Sequence, residues 1–303
     1  MGVCNLPPIF IKKIINLYTR IFKLTLIDTM KTLTKQNIKL LLKPREVNSH
    51  KGNHGHALIV AGSKGKMGAA VIAAKACLRA GVGLLTVNVP KNERAILQTS
   101  IPEAMLEMRE DAKQNATNFS VIGVGSGIGV GKHSEDLLVN IITKIDKPLV
   151  LDADALNIIA SNKKLLSKIP KGTILTPHPK EFDRLFGNHK NDEERINVAI
   201  KKAKQHNIII VLKGHKTLIT YAGETFLNTS GNAGLAKGGS GDALTGIITA
   251  FLAQGYEPKV AAKLGVYLHG LAADIALQNQ SMESMLITDV IEYMGKAFKN
   301  VMK

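Results

Sequence analysis

The sequence predicts an α/β fold, with a mostly parallel central sheet and helices on both faces. Three observations carry this. From His56 onward, short unbroken apolar runs alternate with helical stretches, the pattern of strands buried on both sides. Each run stops at a glycine, proline, aspartate or lysine motif. Aromatic residues make up only 4% of the 303 residues and Trp is absent, so the core must be built from Ile, Leu, Val and Ala. A chain of this length can bury a sizeable core. No Pro/Ser-rich linker or internal repeat divides it, so residues 30–303 read as one domain.

The elements follow in order. Residues 1–29 are apolar but broken by Lys12, Lys13, Arg20 and Lys23, which is too interrupted to span a membrane. They read as an upstream extension, with Met30 as the preferred start of a normal N-terminus and its capped first helix. A basic amphipathic helix and a targeting segment are the other readings. Ala57–Ala61 is the first buried strand. Residues 68–80 form a helix of small residues suited to close packing. Leu84–Val89, Ser120–Val124, Pro148–Leu151, Thr173–Thr176, Ile208–Leu212 and Thr217–Thr220 are the further strands. Two late helices, after Ala243 and Lys259, are expected to pack together.

In such folds the loops at the strand carboxyl ends gather into one crevice. The distinctive motifs all follow strands. The strongest is the glycine-rich run from Asn228 to Asp242, which opens an apolar helix. Backbone N–H groups of Gly239, Ser240 and Gly241 can there cradle an anion, helped by the helix dipole. Asp242 beside that hole is placed to take a proton from a hydroxyl during phosphoryl transfer. The plain alternative is an aspartate helix cap. Pro177 and Pro179 lock His178 in an extended turn, suited to holding a ligand. Lys213 in Lys213-Gly-His-Lys-Thr217 can reach a phosphate or be a solvated hairpin lysine. Asp152 and Asp154 suit Mg²⁺ through water or a helix start. Gly62–Gly68 and Gly125-Ser-Gly127 are ligand loops or tight turns. The segment from Tyr267 to Asp274 has the spacing of core packing.

Composition excludes other classes. The net charge is +16, but the lysines are scattered and no nucleic-acid motif appears, so nucleic acid is not an expected partner. Cys4 and Cys77 have neither metal spacing nor a disulfide framework, which suits a reducing compartment. His54 and His56 lack the second cluster that zinc requires.

Taken together, Lys51–Ser63, Gly68-Ala-Ala, Leu151–Leu156, Leu175–Phe182, Leu212–Thr217 and Asn232–Asp242 resemble the NAD(P)H-hydrate dehydratases of the ribokinase-like superfamily. The likeness covers roughly residues 45–300, in the family's order. It implies a ribokinase-like three-layer fold and a repair lyase. That lyase dehydrates the S epimer of hydrated NADH or NADPH, using ADP, or ATP in eukaryotic relatives. Carried over residue by residue, Ala69, Gly127, His178 and Asp242 would contact the hydrate, with Asp242 as base. Lys213, Gly214, His215, Lys216, Thr217 and Gly241 would contact the nucleotide, and Mg²⁺ would bridge phosphates. Many relatives have Gly-Pro-Gly in place of Gly125-Ser-Gly127, and Gly-Thr-Gly-Asp in place of Gly239-Ser-Gly-Asp242. The resemblance further implies a cytoplasmic homotetramer. Its partner would be a separate epimerase, because no room is left for the epimerase domain of bifunctional relatives. The competing enzyme reading is a kinase of the same superfamily acting on a thiazole or pyrimidine alcohol. The non-enzyme reading is a nucleotide-binding regulator, against which an intact Asp242 argues.

Overall fold

The computed structural model describes residues 30–111 and 118–303. The readings made for residues 1–29, Cys4 among them, lie outside the described residues. Ten strands form one sheet among the described residues, in the order β1-β10-β9-β8-β7-β6-β5-β2-β3-β4. They are β1 (Lys31–Thr32), β2 (His56–Val60), β3 (Leu84–Val89), β4 (Met105–Met108) and β5 (Val121–Val124), followed by β6 (Leu149–Leu151), β7 (Ile174–Leu175), β8 (Ile209–Leu212), β9 (Leu218–Tyr221) and β10 (Glu224–Leu227). Pairing is parallel from β4 to β8 and antiparallel at β8–β9 and β9–β10.

The alternation of side chains along each strand builds two cores. In β2, Ala57 and Ile59 face one layer while Leu58 and Val60 face the other. In β8, Ile209 and Val211 divide from Ile210 and Leu212 in the same way. The first layer holds α1 (Lys35–Leu41), α2 (Met67–Arg79), α3 (Arg94–Ser100), α8 (Ser240–Ala253), α9 (Pro258–Ala276), α10 (Ile287–Glu292) and α11 (Met294–Met302). The second holds α4 (Lys132–Lys144), α5 (Ala153–Ser161), α6 (Pro179–Phe186) and α7 (Asp192–His206). The helix after Met30 is capped as expected: Thr34 accepts from the Asn37 N–H and Asn37 reaches back, a reciprocal box. The two late helices, α8 and α9, do pack on each other.

Strand order locates the crevice. The chain runs outward through β2, β3 and β4, then returns to place β5 on the other side of β2. Loops after β2 and β5 therefore leave in opposite directions, and the gap between them is where an open α/β sheet binds ligands. Three strands were not foreseen. β1 is two polar, exposed residues, and β4 and β10 are short and only partly buried, so none carries a full apolar run.

Candidate active site

The two loops at the switch point are stitched together. The Gly62 N–H donates to the Ser126 carbonyl at 2.8 Å, and the Ser63 hydroxyl donates to the Gly127 carbonyl at 2.8 Å. Arg109, buried after β4, braces the same turn by donating to the carbonyls of Ala61 and Gly62 at 2.8 and 3.0 Å. Burial holds its pKa down to about 10, so it stays charged at neutral pH. Gly62–Gly68 thus forms a fixed wall. Ala69 in the first turn of α2 faces Gly127 across it: a Cβ on Gly127 would fall 3.1 Å from the Ala69 methyl.

Helix α8 opens behind these loops. Its N-cap is Gly239, in the left-handed region (φ 93°), where L side chains are strained and no side chain caps the N–H groups. The Ser240 N–H makes a long 3.4 Å bond to the Lys237 carbonyl, and the helix start otherwise presents its N–H groups without a side-chain acceptor, as an anion site does. Asp242 lies in the first turn but is not the cap, so the helix-cap alternative fails. Its carboxyl is held above the usual range, first by burial and then by the charges of Asp152 and Asp154. Ser126, whose buried hydroxyl is otherwise without a partner, and Lys213 oppose that shift.

Lys213, at the end of β8, is no solvated hairpin lysine. Its Nζ lies 2.8 Å from Asp152 Oδ1 and 3.9 Å from Glu181 Oε2. Burial pulls its pKa down, but Asp152 and Glu181 outweigh that and keep the ammonium above its usual range. A Cβ on Gly241 would sit 3.1 Å from Lys213 Nζ and 3.2 Å from Asp152 Oδ2, so a larger residue there would press the ammonium back from the helix start. Asp152 is 1% exposed and uses its second oxygen to accept from Thr245 Oγ1 at 3.0 Å. Asp154 instead accepts from the Gly129 N–H at 2.8 Å and ties down the loop after β5. Between them Ala153 has φ 50°, a costly conformation for a non-glycine residue.

His178 is the N-cap of α6. Its Nδ1 accepts from the N–H groups of Lys180 and Glu181 at 3.2 and 3.3 Å, its backbone N–H donates to Glu181 Oε2 at 2.8 Å, and its Nε2 lies 3.3 Å from Glu181 Oε1. Burial, then the charge of Lys213, lowers its pKa, so the ring is neutral near pH 7. With Nδ1 acting as acceptor, the proton belongs on Nε2, where it is a donor.

A cavity of about 660 Å³ joins these parts. His178, Lys213, Gly214, His215, Thr217, Ser240 and Gly241 all line it. Lys216 does not; it lies on the other side of its loop, against a neighbouring cavity. The Tyr267–Asp274 segment does more than pack the core, because His269 and Gly270 line the cavity too, beside Val266 of the same helix. Asp274 accepts from the Gly231 N–H at 2.8 Å and from Asn232 at 3.1 Å, fixing the glycine-rich loop. A helical spacing of apolar residues had hidden these roles. Ala69, Gly127 and Asp242 do not line this cavity; Asp242 follows Gly241, which does, in the first turn of α8. The arrangement can hold a phosphate chain at a helix start, with a cation and a buried carboxylate beside it.

Known proteins resemble this chain along most of its length. The family profile described as NAD(P)H-hydrate dehydratase matches residues 57–296. An ADP-dependent (S)-NAD(P)H-hydrate dehydratase of Neisseria meningitidis is 38% identical over 268 residues, covering 86% of this chain and 90% of that protein. A bifunctional NAD(P)H-hydrate repair enzyme of Moorella thermoacetica is 36% identical over 276 residues, covering 86% of this chain and 52% of that protein. The chain thus spans about half the length of the bifunctional relatives it matches. A crystal structure of the Bacillus subtilis ADP/ATP-dependent NAD(P)H-hydrate dehydratase, co-crystallised with ATP and Mg²⁺, superposes with a TM-score of 0.81 at 32% identity. It covers 90% of this chain and 99% of that one.

Proposed function

The chain belongs to the NAD(P)H-hydrate dehydratase family, and on that premise we propose that it is a hydro-lyase that repairs damaged nicotinamide coenzyme. It converts the S epimer of hydrated NADH or NADPH to the working coenzyme while ADP becomes AMP and phosphate. The observation that carries the reading is the half-buried Asp242 carboxylate, which sits in the first turn of α8 without capping it.

The steps follow from the chemistry of the groups. The diphosphate lies along the N–H groups of Gly239, Ser240 and Gly241, with Lys213 at its side. The hydrate enters past Ala69 and Gly127, and the His178 ring, steadied by Glu181 beside its Nε2, contacts it. Asp242 takes the proton of the C6 hydroxyl as that oxygen attacks the terminal phosphorus, and AMP departs. A carboxylate whose pKa is raised toward the working pH is the better base, provided it remains ionised. The C6–O bond of the new phosphate ester then breaks, and phosphate leaves with the bonding pair, pushed by the ring nitrogen. Loss of the C5 proton restores the double bond. Burial of the site guards the activated ester from water.

Among the described residues no three His, Cys, Asp or Glu side chains form a metal cage. Asp152 is spent on Lys213 and Thr245. Mg²⁺ would be held chiefly by the nucleotide phosphates and its own waters, with Asp154, near enough to act on the Asp242 charge, as the carboxylate that would help hold it. So held, the ion supplies neutralisation of phosphate charge. The nucleotide-contacting set is Lys213, Gly214, His215, Thr217 and Gly241, with Lys216 as a contact from the far side of the loop. A homotetramer in the cytoplasm, working beside a separate epimerase, completes the proposal. The family likeness supports it.

The test is the near-ultraviolet absorbance of reduced nicotinamide after mixing protein, hydrated NADH, ADP and Mg²⁺. A rise that requires nucleotide is expected, with ATP run in parallel. No rise from folded protein with either nucleotide overturns the activity and leads to a screen of thiazole and pyrimidine alcohols.

A further inference from the structure

Helix α9 carries an imidazole that the steps above do not use. His269 is 6% exposed and its Nε2 has no hydrogen-bond partner. The residue lines the same cavity as Lys213, Ser240 and Gly241. A buried ring nitrogen left unpaired is a cost to the folded chain, so its persistence calls for a reason. Burial, reinforced by Lys213, holds its pKa down to about 4. The ring is therefore neutral at working pH and offers one donor and one acceptor.

Its neighbours on α9 are already committed to the wall of the cavity. A Cβ on Gly270 would fall 2.4 Å from Ser230 Oγ, so the loop lies directly on the helix. Ser230 Oγ donates to the Tyr267 carbonyl at 2.9 Å, and Asp274 holds Gly231 and Asn232. Polar groups of the loop are likewise spent on one another: Asn228 Nδ2 donates to the Ser230 carbonyl at 3.0 Å, and Asn232 Oδ1 accepts from the Gly234 N–H at 2.9 Å. His269 Nε2 is left over. A neutral imidazole suits a sugar hydroxyl or a base edge better than a phosphate, which Lys213 and the helix start already serve.

We propose that His269 is a nucleotide-recognition residue, its imidazole hydrogen-bonding the nucleoside part of ADP within the cavity between α8, α9 and the glycine-rich loop. This rests on the reading of that cavity as the nucleotide site. His269→Leu tests it, because leucine fills much of the space and removes the unpaired nitrogen. Calorimetry on the full chain with Mg²⁺ should show the Kd for ADP rising about tenfold, the size of one lost hydrogen bond to a buried partner. Affinity for inorganic pyrophosphate, which lacks the nucleoside, should change less than twofold. The Tm of the unliganded variant should equal or exceed that of the parent. His269→Gln, which keeps hydrogen-bonding atoms, should recover part of the ADP affinity.

An unchanged Kd for ADP in folded His269→Leu overturns the assignment. So does an equal loss of pyrophosphate binding, which would mean that the whole cavity had collapsed, or a parent protein that does not bind ADP. A parent that binds ADP but does not turn over hydrated coenzyme removes the dehydratase reading alone and leaves His269 standing.

Discussion

Replacing Asp242 with Asn separates the proposed chemistry from binding and from stability in one variant. The amide keeps the shape of the carboxyl but cannot accept the hydroxyl proton. A positioned base contributes about 10²–10⁴-fold, or roughly 3–5 kcal/mol of barrier at 1.36 kcal/mol per tenfold. Nucleotide affinity should stay within about threefold, because the anion site is made of backbone N–H groups and Lys213, which the change leaves in place. Stability should move the other way. The folded state holds the Asp242 carboxyl above its unfolded value, mainly through burial. The native state therefore binds the proton more tightly, and stability falls as pH rises through the window above the ordinary aspartate range. Asn carries no charge to bury, so the unliganded variant should melt above the parent at neutral pH and match it more closely in acid. The assays are steady-state absorbance with hydrated NADH, calorimetry with ADP, and thermal unfolding at two pH values. Turnover within threefold of the parent would refute the base role. Loss of ADP binding would refute the separation of base and anion hole.

Other expectations follow from the same geometry. The acid limb of kcat/KM should lie above the ordinary aspartate value, since Asp242 must be ionised and burial, Asp152 and Asp154 oppose that against the help of Ser126 and Lys213; a limb at or below the free-aspartate pKa would contradict this. Lys213→Met leaves the buried Asp152 charge with only the Thr245 hydroxyl, so denaturant unfolding should show a loss of about 3–5 kcal/mol. Adding Asp152→Asn should recover much of that loss, and strict additivity of the two changes would deny the pairing. Gly241→Ala places a methyl 3.1 Å from Lys213 Nζ; the flexible lysine end can yield, so the fold should survive while the KM for ADP rises about tenfold. Ala69→Leu should narrow the approach to Gly127 and raise the KM for the hydrate while leaving that for ADP unchanged, a split that initial-rate kinetics reads directly.

Much of this molecule was legible before any fold was known, because the relevant physics is local. Residues such as Val121–Val124 and Ile209–Leu212 carry no polar side chain on either face and read as interior strands of a covered sheet. The sequence Gly239-Ser-Gly-Asp242 before an apolar run marks a helix start open to an anion, and Pro177-His-Pro179 marks a held histidine. What only tertiary structure decided depends on groups far apart in the chain. Lys213 changes from a hairpin lysine to a buried cation because Asp152, 61 residues away, comes within 2.8 Å of it. Asp274 anchors Gly231 from 43 residues away, and His269 joins the cavity only because α9 lies against that loop. An apolar helical spacing shows which face is buried and not what it is buried against. The contents of that interface are set by the crossing of helices and the order of strands, and no local signal carries them.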